Sequence, residues 1–283
     1  NLGENSWRWM MGVEFFLAII YTVLVLNIPQ SPRWLIQKGK TELAKKILNQ
    51  ISPNEKIEEL ITEIKNEKVD NRESIFHFKF RFSLLLTFFI AAFNQLSGIN
   101  AFLYYAPRIF EEAGLGESTA LLSSVGIGLV NLIFTFIGIS LIDKLGRKQL
   151  MYFGSFGYII SLSLVSIAFF FKLNPILIPI FLFVFIASHA IGQGTVIWVF
   201  ISEIYPNHLR SSGQSFGSSV HWVLAALIPS MIPILFSSIG AGFVFLFFSF
   251  MMILQLIFVY YLMPETKGIS LEELSRTLAK KKS

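Results

Sequence analysis

Seven stretches of roughly 20 residues, nearly free of charge, dominate the chain, and each has the length a helix needs to cross a hydrocarbon layer about 30 Å thick. They run from Trp7 to Ile28, Phe82 to Tyr105, Thr119 to Ile142, Leu150 to Phe171, Pro175 to Ile201, Ser212 to Phe236 and Ala241 to Met263. In lipid a segment has no water to satisfy its backbone, so apolar blocks of this length predict helices. A soluble reading fails for want of polar surface: 14% of the 283 residues are charged against 54% hydrophobic, and seven apolar helices in succession leave little to face water. The expected fold is an all-α, multi-pass membrane protein.

The distribution of basic residues orients it. If the segment after the first block is cytoplasmic, the cytoplasmic stretches hold 11 Lys/Arg over 31–81, three over 143–148, Arg210, and five over 267–282. The opposite side keeps only Arg8, Arg108 and Lys172 of the 23 basic residues. That asymmetry is the positive-inside pattern; it puts the C-terminus in the cytoplasm and accounts for the net charge of +5 without a nucleic-acid partner.

Ser31 to Arg81 is the one long polar segment. Within it, Ala44, Ile47, Leu48 and later Ile57, Leu60 and Ile61 recur at helical spacing among charges, which predicts two or three short amphipathic helices. The segment separates one block from six. The expected organisation is a lone helix over 1–30, a linker over 31–81, a six-helix bundle over 82–263 and a tail over 264–283. Because the chain opens on Asn1 and enters an apolar block almost at once, a longer product is expected to precede it.

Enzyme chemistry finds little to work with. There is no cysteine, and the two aspartates (Asp70, Asp143) and four dispersed histidines (His77, His189, His208, His221) show no metal-ligand spacing or nucleophile motif, so no cofactor is expected.

Five short patterns stand in order at the predicted helix ends. They are Pro29-Gln30-Ser31-Pro32-Arg33-Trp34-Leu35; Gln95-Leu96-Ser97-Gly98-Ile99-Asn100 with Tyr104-Tyr105; Asp143-Lys144-Leu145-Gly146-Arg147-Lys148; Gly194-Thr195-Val196-Ile197-Trp198 with Ser202-Glu203-Ile204-Tyr205-Pro206; and Pro264-Glu265-Thr266-Lys267-Gly268. Together they resemble the signatures of the sugar porter family of the major facilitator superfamily, over essentially the whole chain. The sequence departs from the family pattern at Gln30 (usually Glu), Asn94 (Gln), Thr195 (Pro) and His221 (Gln or Asn), which bears on substrate identity rather than fold. The resemblance implies the C-terminal six-helix bundle of such a transporter, preceded by the last helix of the N-terminal half, with the rest of that half as its partner within the same polypeptide. It implies a site near the mid-plane of the bilayer that faces one side at a time, by alternating access.

Amides suit that role, because a sugar hydroxyl both donates and accepts and so do Asn and Gln. The resemblance assigns Asn94, Gln95, Asn100 and Asn131 to sugar hydroxyls; the alternative is that they bond neighbouring helices. It places Trp198 against the sugar ring, with Trp222 and His221 as further candidates, Tyr104 as an outer gate and Gly194 lining the pocket. A tryptophan otherwise suits a lipid-interface belt, as Trp7 and Trp9 do. Gly98 interrupts a Phe- and Leu-rich helix and is expected at a gating bend.

Asp143, Arg147, Glu203 and Arg210 fall at inner helix ends and are expected to form a latch that pairs and separates as the halves rock, or else to be solvated loop charges. Glu14 is the one acid inside a spanning block; it is a candidate for proton coupling, or a hydrated acid near the outer surface. The expected function is transport of a hexose or pentose, by proton symport, in a cell membrane. The alternative is a sensor of the same fold that binds sugar without moving it.

Overall fold

Each apolar block is helical in the computed structural model, which describes residues 6–51, 57–66 and 74–269. The Trp7 side chain and tail residues 270–283, with their basic residues, lie outside the described residues. The chain divides into two units, Asn1–Asp70 and Asn71–Ser283.

In the first unit, α1 (Ser6–Leu26) carries the apolar stretch Gly12–Leu26. Three short helices follow: α2 (Pro32–Gln37), α3 (Thr41–Ile51) and α4 (Ile57–Asn66). Pro32 opens α2, where its missing N–H would have had no intrahelical acceptor anyway. Leu35, Ile36, Ala44, Ile47, Ile57, Ile61 and Ile64 are buried together as a small core of their own, the outcome expected of amphipathic faces at helical spacing. Lys45 on α3 pairs with Glu58 on α4 across the surface of this unit.

The second unit holds, among the described residues, six segments long and apolar enough to cross a membrane: Phe78–Glu112, Glu117–Leu145, Arg147–Phe170, Leu177–Glu203, Asn207–Ile239 and Ala241–Tyr261. Two of them are interrupted. The first is split into α5 (Arg81–Leu96) and α6 (Ile99–Glu112) at Gly98, whose φ of 84° is open to glycine and strained for a side chain. A Cβ there would also sit 2.8 Å from the Phe248 ring. The fourth is split into α9 (Leu177–His189) and α10 (Thr195–Glu203) by a π-helical turn, Ala190–Gly194. Uninterrupted helices complete the unit: α7 (Glu117–Leu145), α8 (Arg147–Phe170), α11 (Arg210–Ile239) and α12 (Ala241–Tyr261).

Helix α8 packs along α12 and α9, α5 along α11, and α7 along α6 and α9. Without a hydrophobic force between helices in lipid, close approach depends on small residues. At the α8 crossing a Cβ on Gly154 would meet the Cα of Gly192 at 3.0 Å, so the π turn is pressed against α8 backbone to backbone. Aromatic rings fill the space beside the Gly98 break: Phe102 stacks on Phe245 (centroids 5.1 Å) and meets Phe185 edge-on (4.6 Å).

Candidate functional site

Polar side chains gather where α5 ends and α6 begins. Asn94 and Gln95 are 2% and 1% exposed, and Asn100 stands just past the Gly98 break, half-buried. Gln95 is the hub. Its Nε2 donates to Asn94 Oδ1 (3.1 Å) and lies within 3.2 Å of the His221 ring nitrogens, while its Oε1 accepts from Asn100 Nδ2 (3.0 Å). His221 comes from α11, in ring contact with Trp198 of α10 (centroids 5.2 Å) and Trp222 (5.2 Å, edge-on). Gln214 Nε2 donates to the Trp198 carbonyl at 2.7 Å and ties α11 to α10 at the same level.

Four helices thus bring Asn94, Gln95, Asn100, Trp198, His221 and Trp222 into one cluster. Each amide carries two donor hydrogens and a two-fold acceptor, and the cluster does not use them all. Among the described residues neither Asn94 Nδ2 nor Asn100 Oδ1 has a hydrogen-bonding side-chain or backbone partner. A donor and an acceptor are left uncommitted in a cluster that reaches the Trp198 indole through His221. Asn131 on α7 is half-buried and joined to the cluster by no bond, its carbonyl accepting from Thr135. Tyr104 on α6 is 60% exposed, Gly194 is exposed at the end of the π turn, and Trp222 is 63% exposed. Glu14 belongs to the other unit, exposed on α1.

A second cluster forms at one end of the bundle, where α7, α10 and α12 end and α8 starts. Arg147, 8% exposed, makes a two-pronged contact with Glu203 (Nη2 to Oε1 2.7 Å, Nε to Oε2 3.1 Å). Its Nη1 donates to Asp143 Oδ1 (3.1 Å) and the Ile142 carbonyl (3.2 Å). Glu203 accepts a further bond from Thr266 Oγ1 at 2.6 Å. Glu265 accepts four backbone N–H bonds, from Arg147, Lys148, Thr266 and Lys267, at 2.9–3.0 Å. Burial pushes its carboxyl up, but the four N–H donors outweigh burial and hold it below the ordinary value. Two of those donors open α8, where the helix dipole also favours an anion.

Of the four residues expected to form a latch, three are joined. Arg210 lines the same cavity of about 640 Å³, yet its Nη2 donates to Asn207 (2.8 Å) and it makes no ion pair among the described residues. Glu265 and Thr266 belong to the last of the five sequence patterns, and their proximity to Glu203 and to the start of α8 is visible only in the fold. No cluster of three potential metal ligands occurs among the described residues.

Six apolar spans among the described residues, two of them interrupted, with half-satisfied amides at one interruption, make up a multi-pass membrane protein. The chain belongs to the family of sugar and related transporters: residues 1–278 match the family described as "Sugar (and other) transporter". It is 34% identical over 278 residues to the arabinose-proton symporter of Bacillus subtilis, covering 96% of this chain and 60% of that protein. To the glucose facilitated diffusion protein of Zymomonas mobilis it is 33% identical over 282 residues, covering 96% and 60%. The solved structure of the proton:xylose symporter XylE of the major facilitator superfamily, bound to 6-bromo-6-deoxy-D-glucose, aligns with a TM-score of 0.80 at 30% identity, over 96% of this chain and 59% of that one. The chain therefore spans about three fifths of the length of the relatives it matches.

Proposed function

We propose that the chain is the C-terminal part of a monosaccharide transporter that works by alternating access, with a hexose or pentose as substrate and a proton as co-substrate. The observation that carries this reading is the cluster around Gln95. An uncommitted donor (Asn94 Nδ2) and acceptor (Asn100 Oδ1) flank the Gln95 hub, the pattern a sugar hydroxyl needs, and the Trp198 face suits the C–H edge of a pyranose. Asn131, Gly194 and Trp222 would complete the wall, and Tyr104 would act as a gate over it. Relatives named as an arabinose-proton symporter and a glucose facilitated diffusion protein favour sugars as the cargo.

In this reading the remaining length of such a relative supplies the facing half of the pocket. Gly98 and the π turn give two helices places to bend as the halves rock. The Arg147 cluster, on the cytoplasmic side, holds helix ends together in one state and separates in the other, with Arg210 entering only on rearrangement. Glu14 assists proton transfer.

The test is uptake of labelled xylose and glucose by the full-length protein in vesicles, with and without an imposed pH gradient. Saturable uptake lost in Trp198→Ala supports the transporter and its pocket. Gradient-driven accumulation marks symport and simple equilibration a uniport. Binding of sugar with no uptake of any kind would move the reading to a sensor.

A further inference from the structure

A glutamine buried between membrane-length helices is unfavourable unless its amide finds partners, and three polar side chains partner one another between α8, the π turn and α12. Gln193 of the π turn, Gln255 of α12 and Ser155 of α8 are each 0% exposed. Gln193 Nε2 donates to Gln255 Oε1. Gln255 Nε2 donates in turn to Ser155 Oγ (2.9 Å), which donates to the Met151 carbonyl (2.7 Å). The relay runs from the π turn through α12 to the backbone of α8. Gln193 Oε1 is buried without a hydrogen-bond partner, so among the described residues the bond to Gln255 is what holds this amide.

Helices α8 and α12 do not depend on the relay to stay together. The Ser163 and Ser249 hydroxyls already join them at 2.9 Å, and Ser166 Oγ donates to the Gly242 carbonyl at 2.8 Å. What the relay adds is a hold on the π turn. The turn is pressed from two other sides: a Cβ on Gly138 of α7 would stand 3.0 Å from the Ala190 carbonyl oxygen, and one on Gly192 would stand 2.9 Å from the Cα of Gly154 on α8. Thr195 Oγ1 donates to the same Ala190 carbonyl at 2.6 Å.

A π turn takes up one residue more than α-helical winding, so the helix that follows is rotated by about 100° around its axis. Trp198 lies four residues past the turn, in ring contact with His221 of the amide cluster, and its azimuth is set by that rotation. Rewinding the turn as an α-helix would swing Gln193 away from α12 and leave both amides unpaired among apolar side chains. The Gln193–Gln255 bond therefore favours the π winding, and with it the direction in which the indole points.

We infer that Gln255 is a positioning residue for the sugar site: through Gln193 it fixes the register of Trp198, from a helix that contributes no residue to the cluster around Gln95. This rests on the sugar-binding reading above.

The experiment measures labelled glucose uptake by the full-length protein in vesicles, alongside thermal melting of the same variants in detergent. Gln255→Met keeps the volume and removes the bond; it should raise the KM about 2- to 10-fold, the loss of roughly one neutral hydrogen bond to the ligand, and lower the melting temperature because Gln193 is left unpaired. The double variant Gln193→Met with Gln255→Met buries no unmatched amide, so its melting should return toward wild type while its KM stays raised. That split is what positioning predicts and simple packing does not. A KM that recovers together with melting in the double variant would overturn the inference. If Gln255→Met does not fold, the double variant decides alone: a raised KM at near wild-type melting supports the inference and a wild-type KM overturns it. An unchanged KM in Gln255→Met, in a protein whose uptake Trp198→Ala abolishes, would likewise overturn it and leave the site standing. Uptake indifferent to Trp198→Ala would overturn the site itself, and the role of Gln255 with it.

Discussion

The amides around Gln95 and the charges around Arg147 are both polar clusters in an apolar bundle, yet one leaves hydrogen-bonding capacity open and the other uses nearly all of it. Around Gln95 three side chains are tied to one another while a donor and an acceptor remain uncommitted. Around Arg147 the guanidinium reaches two carboxylates and a carbonyl, Glu203 takes a hydroxyl as well, and Glu265 is filled by four backbone N–H groups. Neutral groups with spare valence recognise a ligand at modest expense when empty. Charges in a poorly hydrated setting must be matched within the protein, and matching makes them a structural joint. The difference predicts that damage to one cluster shows in affinity and damage to the other in stability.

The largest effect is expected for Arg147→Ala. It leaves the mostly covered Glu203 carboxylate without its counter-charge, and thermal unfolding of the purified protein in detergent should show a loss of about 3 kcal/mol. Sugar KM in the surviving folded fraction should stay near wild type; a parallel loss of affinity would mean that the two clusters are coupled. Gln95→Ala comes next, with sugar affinity lower by about 1–3 kcal/mol and a smaller shift in melting than Arg147→Ala produces. A larger shift in melting than in affinity would make Gln95 a helix-packing residue and dissolve the contrast.

Glu265→Gln is expected to destabilise by about 1–2 kcal/mol, since charge-assisted bonds become neutral ones. Because the folded carboxyl is held below its ordinary value of 4.5, its contribution is complete above that value and fades as pH falls through the lower folded one. The melting difference between wild type and Glu265→Gln should therefore shrink on acidification; a difference that grows would put the sign of the Glu265 interaction in error. Asp143→Asn closes the series. The Asp143 side chain is 82% exposed, so its pair with Arg147 should contribute about 0–1 kcal/mol, within error of a melting experiment at moderate salt.

Much of this was legible along the chain. The spans follow from hydropathy, the break at Gly98 from a lone glycine among Phe and Leu, and the gathering of Asp143, Arg147 and Glu203 from their places at helix ends. The π turn was not legible. Ala190-Ile191-Gly192-Gln193-Gly194 suits an α-helix as well, and the shift in register accompanies contacts with other helices, Gly154 against Gly192 and Gln193 bonded to Gln255. Along the sequence His189 is one dispersed histidine for the same reason, since its partner Tyr158 lies 31 residues away on another helix. Arg210 shows the same limit: in the fold its guanidinium bonds Asn207, three residues before it, which charge alone does not announce.

Hydropathy and motif spacing by themselves determined that the protein is helical, membrane-spanning and a member of its transporter family, because in lipid each span must satisfy its own backbone and so declares itself by length and composition. Which polar side chains meet was decided only by tertiary structure. Gln95 with His221, Arg147 with Glu203 and His189 with Tyr158 are pairings between helices, and they depend on the rotation and depth at which small residues let those helices pack, a quantity no single segment contains.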